Sequence, residues 1–275
     1  MIIDAHQHFW KYDPIRDAWI DDTMEVIRQD FFPEQLEPVF KAHGIQGCVA
    51  VQADQSENET AFLLDLAAKH DFIKGVVGWT DLRSTSISEQ LHYYSQFPKL
   101  KGFRHIVQGE PDPMFLLRED FCRGILALAQ YDFSYDILVY PKQLPAVEKF
   151  VDQFPAQRMI IDHLAKPDFK KGELDTWAAH IRKIAAAPNV CCKISGLVTE
   201  ADWKNWKAHQ FEPFLDTVLE AFGCDRLLFG SDWPVCLLAA EYGEVKDIIT
   251  DYISRLSSVE QQKIMGGNAI AFYHL

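Results

Sequence analysis

Ile2-Ile3-Asp4-Ala5-His6-Gln7-His8 is an apolar, strand-like opening that runs directly into two histidines. A doubly wound open sheet would carry a Gly-x-Gly-x-x-Gly phosphate loop after its first strand. Here His6-Gln7-His8 stands in that place. The strand at Ile2–Ala5 is the first of eight. Seven more short apolar segments follow at Gly47–Val51, Ile73–Trp79, Leu100–Arg104, Tyr135–Val139, Arg158–Ile161, Val190–Ser195 and Arg226–Phe229.

Between them lie stretches with helical spacing: Pro33–His43, Glu57–His70, Ile87–Phe97, Arg118–Gln130, Gln143–Phe154, Leu174–Ala187 and Phe211–Phe222. Two further helices are expected near Gly243–Arg255 and Ser258–Tyr273. Pro33 suits a first helical position, and Gly44 suits a left-handed helix end. Strand–helix alternation implies a parallel sheet, and eight units favour its closure. The expected fold is therefore α/β: a single (β/α)8 TIM barrel over residues 1–275, with its active site at the C-terminal ends of the strands.

Composition narrows the function. Hydrophobic residues make up 48% of the chain and charged residues 24%, which supplies a core. The formal charge of −13, with no Lys/Arg run, argues against nucleic acid and acidic membrane surfaces as partners. No apolar run reaches bilayer-spanning length. The opening residues carry no basic, apolar leader, so a cytoplasmic location is expected. The six cysteines form no CxxC pair and read as buried thiols. Apolar residues on the outer helices suit either internal packing or a homo-oligomer face.

Polar and titratable residues recur at the predicted strand ends. His6 and His8 end strand one, Gln52 strand two, Trp79 strand three, and Arg104 with His105 strand four. Tyr140 ends strand five, His163 with Lys166 strand six, and Asp232 with Trp233 strand eight. Two histidines at i and i+2 on a strand share a side and suit a metal or a polar substrate group. Asp232 suits a general base for water or a metal ligand, against the alternative of a turn aspartate set by Pro234. Lys193 in strand seven shares a side with Cys191 and Ser195. If that side faces the helices, Lys193 cannot reach substrate.

As an ordered set these residues resemble the amidohydrolase superfamily, whose signature is a His-x-His after strand one and an Asp after strand eight. The stretches Ile3–Trp10, Lys101–His105, Asp162–Pro167, Lys193–Leu197 and Phe229–Pro234 are similar to the amidohydrolase-2 branch that contains sugar lactonases. Within it, the resemblance is strongest to hydrolases of L-fuconolactone and L-rhamnonolactone. The chain departs from binuclear members: strand four ends in Arg104-His105 and strand five in Tyr140, with no His. The resemblance thus implies either one divalent ion on some of His6, His8, His163 and Asp232, zinc first and manganese next, or catalysis without metal.

What it implies for activity is hydrolysis of a small-molecule sugar lactone. Asp232 would activate water, and His6, His8 and His163 would polarise the carbonyl. Arg104, His105, Gln52 and Lys166 would hold substrate oxygens, while Trp10, Trp79 and Trp233 would stack on the ring. The alternatives are a metal-dependent decarboxylase of the same branch and a non-catalytic ligand-binding barrel.

Overall fold

Each of the eight apolar segments forms a strand: β1 Ile3–Gln7, β2 Gly47–Val51, β3 Ile73–Gly78, β4 Leu100–His105, β5 Ser134–Ile137, β6 Met159–Ile161, β7 Val190–Ile194 and β8 Leu227–Phe229. The computed structural model describes residues 1–172 and 174–275. The strands lie in chain order and pair parallel throughout, as a (β/α)8 barrel requires. Between β8 and β1 a single parallel bridge joins Gln7 and Trp233.

The helices that wrap the barrel are α1 Pro33–His43, α2 Glu57–Lys69, α3 Ile87–Tyr94, α4 Glu119–Gln130, α5 Leu144–Gln153, α6 Asp175–Ala185, α7 Leu197–Glu200, α8 Glu212–Phe222, α9 Tyr242–Ile253, α10 Ser258–Gln262 and α11 Asn268–Tyr273. Their ends follow local chemistry. Pro33 opens α1 and Gly44, at φ 70°, closes it. The Ser56 hydroxyl accepts from the Glu59 N–H at 3.2 Å and caps α2.

The one long helix expected over Ser258–Tyr273 is broken by a π-turn at Lys263–Gly267. There the backbone presses on the first strand: a Cβ on Gly266 would lie 2.2 Å from the Met1 carbonyl oxygen. The break turns α11 under the barrel, where Ala269, Phe272 and Tyr273 pack against Ile3, Ala5, Val49, Val51, Val77, Ile160 and Leu228 and close the floor.

The alternation of β1 is irregular. Ile3 and Ala5 face the interior, while Asp4 reaches Tyr242 of α9 and Gln7 reaches Cys48 on the outer side. Strict alternation would send His6 outward with Asp4. Asp4 pairs with Cys48 and Gln7 with Ala50, so β1 carries one extra residue there. This bulge turns His6 inward.

Candidate active site

Asp232 lies just past β8, and three imidazoles surround it. Its Oδ1 is 3.3 Å from His8 Nε2, 3.8 Å from His163 Nε2 and 3.9 Å from His6 Nε2. All four side chains are buried. Each ring is fixed from its other nitrogen. His8 Nδ1 donates to the Val51 carbonyl at 2.7 Å, and His163 Nδ1 meets the Ser195 hydroxyl at 2.8 Å. His6 Nδ1 is held 3.3 Å from Asp162 Oδ1 and 3.2 Å from Lys193 Nζ, and Arg104 Nη1 lies 3.2 Å from its Nε2.

Burial alone would raise the Asp232 carboxyl. The neighbouring His163, a hydrogen bond with His8, and His6 outweigh it and pull Asp232 below the ordinary carboxylate range. Burial lowers His163 to about 4, against the pull of Asp232, and holds His6 well below its usual value. Near neutral pH the site thus contains an ionised carboxylate beside neutral His6 and His163.

Beneath His6 lies a closed layer of charge. Lys193 Nζ is 2.5 Å from Asp136 Oδ2, 2.9 Å from Asp162 Oδ1 and 3.2 Å from His6 Nδ1. Arg104 Nη1 is 2.9 Å from Asp162 Oδ2, and its Nη2 donates to the Gln52 side chain at 3.1 Å and to the Gln52 carbonyl. Tyr273 on the floor donates to Asp136 Oδ2 at 2.8 Å. Two cations balance two carboxylates, the condition under which buried charges persist. Lys193 therefore faces the interior. It lies below the cavity wall and acts on His6, whose orientation it helps to hold.

Backbone conformation sets the upper rim. His163, Leu164, Ala165 and Lys166 have φ of 52°, 54°, 58° and 51°, a left-handed turn that swings His163 over the barrel axis. Gly196, at φ 68°, gives that ring its room: a Cβ there would lie 2.7 Å from His163 Nδ1. Gly230 does the same beneath His6, where a Cβ would lie 2.7 Å from His6 Cβ.

Above the four residues opens a cavity of about 500 Å³, of a size suited to a small molecule. His8, Arg104, His163 and Asp232 reach it from the barrel, and Trp10, Trp19, Met24, Leu138, Val235 and Leu238 supply apolar wall. Lys166 also lines it; its Nζ is 2.8 Å from Glu200 Oε1 and 5.5 Å from the centre of the Tyr140 ring. Burial would lower Lys166, but Glu200 outweighs it, so the ammonium stays charged.

The residues expected at the site divide into three groups. His8, His163, Asp232, Arg104, Lys166 and Trp10 line the cavity. His6 and Gln52 lie immediately beneath, holding and held by Arg104. His105, Trp79 and Trp233 sit away from it. His105 points toward the helices, stacked on Phe115 at 4.7 Å and bonded to Glu110 at 2.7 Å. The Trp79 indole N–H is directed at His105 Nδ1, 3.4 Å away. Trp233 packs edge-on against Phe9 and Phe31. Asp136, Asp162, Ser195, Thr199, Glu200 and Trp203 are further members of the site or its support. Asp162 and Ser195 occupy strand ends, which was a usable signal. Thr199 and Glu200 belong to α7, a single turn too short to leave a periodic trace.

The donor chemistry fits one divalent cation. Three imidazole nitrogens and a carboxylate oxygen converge, and each imidazole is oriented from its far side, as metal-ligating histidines are. With Nδ1 donating to Val51, His8 turns Nε2 toward Asp232 and the cavity. A second grouping of His6, Asp162 and His163 is spaced for an ion, but Lys193 and Arg104 already bond both Asp162 oxygens.

Comparison with known proteins agrees with this geometry. The amidohydrolase family model matches residues 3–275. The chain is 43% identical to an L-fucono-1,5-lactonase of Burkholderia multivorans, over 99% of this chain and 96% of that one. It is 36% identical to an L-fucono-1,5-lactonase of Burkholderia ambifaria, over 99% and 95%. A crystal structure of a Burkholderia multivorans amidohydrolase with bound zinc superposes with a TM-score of 0.97 at 43% identity, over 100% of this chain and 99% of that one.

Proposed function

The chain belongs to the amidohydrolase family, and from that membership we propose that it is a hydrolase opening a sugar lactone to its free acid, with L-fuconolactone the first substrate to test. The observation that carries the reading is the ionised carboxylate of Asp232, ringed by three imidazoles at the floor of a cavity walled by indole and aliphatic groups. A lactone needs little more than an activated water and a polarised carbonyl.

Asp232 takes a proton from water as the water oxygen bonds to the lactone carbonyl carbon. Positive charge meets the developing oxyanion from Lys166, which gives one N–H to Glu200 and has two others to offer. The ring C–O bond then breaks, and protonated Asp232 returns its proton to the leaving alkoxide. The hydroxy acid ionises and releases one proton to solvent. His6 keeps the cluster in register, and the indoles of Trp10 and Trp19 take the apolar face of the sugar. A divalent ion on His6, His8, His163 and Asp232, zinc first, would add Lewis-acid polarisation of the carbonyl.

The test is proton release on a panel of aldonolactones, including L-fuconolactone and L-rhamnonolactone, with chelator-treated and zinc-supplemented protein. CO2 release from aromatic carboxylates is measured alongside. Stoichiometric acid from a lactone is expected. CO2 without lactone turnover would overturn the reading.

A further inference from the structure

The barrel closes between β8 and β1 through one side chain more than through a ladder. Asp4 is completely buried. Its Oδ1 accepts from the Ser231 N–H at 2.9 Å and the His6 N–H at 3.1 Å. Its Oδ2 accepts from the Ser231 hydroxyl at 2.6 Å and the Tyr242 hydroxyl at 3.0 Å. The Ser231 hydroxyl in turn accepts from the Trp233 N–H at 3.0 Å. These bonds grip both residues flanking Asp232. They also grip His6, whose carbonyl accepts from the Asp232 N–H at 2.8 Å.

We propose that Asp4 is a positioning residue: through Ser231 and His6 it holds Asp232 in the backbone conformation that places its carboxylate among the three imidazoles. This rests on the reading of Asp232 as the base. Asp232 sits at φ 60°, in the left-handed region, where a non-glycine residue is held by its surroundings. Among the described residues the loop from Gly230 to Pro234 has no β-ladder partner beyond the Gln7–Trp233 bridge; it is held by backbone bonds to His6, His8, Ile194 and Cys236, and the Asp4 carboxylate is the side chain that grips Ser231 from both its N–H and its hydroxyl. The same carboxylate reaches α9 through Tyr242, which ties the outer layer to the seam. Asp4 touches no part of the cavity wall, and its effect on the reaction passes entirely through the residues it bonds.

The hydrogen-bond arithmetic separates geometry from charge. All four partners of Asp4 are donors, but two of them are hydroxyls that can turn around and accept. Asparagine at this position can keep the two N–H bonds through its oxygen and donate its amide protons to Ser231 and Tyr242. Alanine keeps none of the four.

The experiment compares Asp4→Ala, Asp4→Asn and Ser231→Ala with wild type, reading kcat and KM on the lactone per folded molecule, with folded fraction from circular dichroism. Asp4→Ala is expected to lose kcat on the order of 100-fold, the cost of an ångström-scale misplacement, with KM within about threefold. Asp4→Asn should restore kcat to within about fivefold of wild type, as its bonds do. If Asp4→Ala fails to fold, Ser231→Ala carries the test, because it removes only the hydroxyl link and should lower kcat about tenfold. Wild-type kcat per folded molecule in the alanine variants would overturn the proposal. So would an asparagine variant as impaired as alanine. Crystal structures of wild type and whichever of the two alanine variants folds supply a readout independent of turnover. Asp232 Oδ1 should leave its place among the three Nε2 atoms in the variant, and an unmoved Asp232 would refute the positioning role even if the substrate were not a lactone.

Discussion

Replacing Lys193 with Met would remove one of two cations from a fully buried layer. The Lys193 ammonium touches Asp136 at 2.5 Å and Asp162 at 2.9 Å, and all three side chains are fully buried. Met matches the length of Lys and leaves no large void, so the loss is electrostatic. Asp162 keeps Arg104, and Asp136 keeps only the Tyr273 hydroxyl. Breaking one side of a buried pair costs about 3–5 kcal/mol. For a chain of 275 residues the unfolding entropy is roughly 0.6 kcal/mol per degree. Lys193→Met should therefore melt about 5–9 °C below wild type. The double variant Asp136→Asn/Lys193→Met removes the stranded charge and should recover at least about 2 kcal/mol of that loss. Thermal melts of wild type, Lys193→Met, Asp136→Asn and the double variant at pH 7 form a double-mutant cycle. A Lys193→Met melt within about 2 °C of wild type, which is roughly 1 kcal/mol, would refute the reasoning. A double variant no more stable than the single one would refute it equally.

Two further perturbations follow from the site. Gly196→Ala places a methyl 2.7 Å from His163 Nδ1, at a φ of 68° that alanine resists; a fall in kcat of at least about tenfold with retained fold is expected, and kcat within about twofold would contradict the packing. In the pH profile, burial keeps His163 neutral down to about 4, and the surrounding histidines keep Asp232 ionised below the ordinary carboxylate range. Acidification thus protonates both groups late, so the main acid limb of kcat should lie below about pH 5, while protonation of Asp4, which burial pushes up to about 6, should cost no more than the roughly fivefold expected of Asp4→Asn. A fall of more than about tenfold near the ordinary histidine value of about 6.5 would contradict the assignment.

The periodicity of the chain carried most of the fold, because most strands are short apolar runs and the long helices carry a buried stripe. Strand ends then named His6, His8, His163 and Asp232 as candidates, and the structure brings all four within one cluster. What was hidden depends on backbone detail. No glycine or proline marks the bulge in Ala5-His6-Gln7, yet without it His6 would face the helices. His105 and Trp79 stand at strand ends but make their contacts with one another and with Phe115 and Glu110, away from the cavity. Asp136 sits inside a strand, where a reading of ends passes over it. Glu200 and Trp203 come from the connection after β7, whose path only tertiary packing defines. The π-turn at Lys263–Gly267 arises from contact with Met1, a partner more than 260 residues away in the chain.

The most direct test of the central assignment is kcat of Asp232→Asn on L-fuconolactone, by proton release, beside wild type. Asparagine preserves shape and cannot accept the proton of water. A loss of about 100- to 10,000-fold in kcat, with an unchanged circular dichroism spectrum and KM within a few-fold, is the expected result. Near-normal kcat would mean that another group activates the water, and Asp232 would no longer be the base.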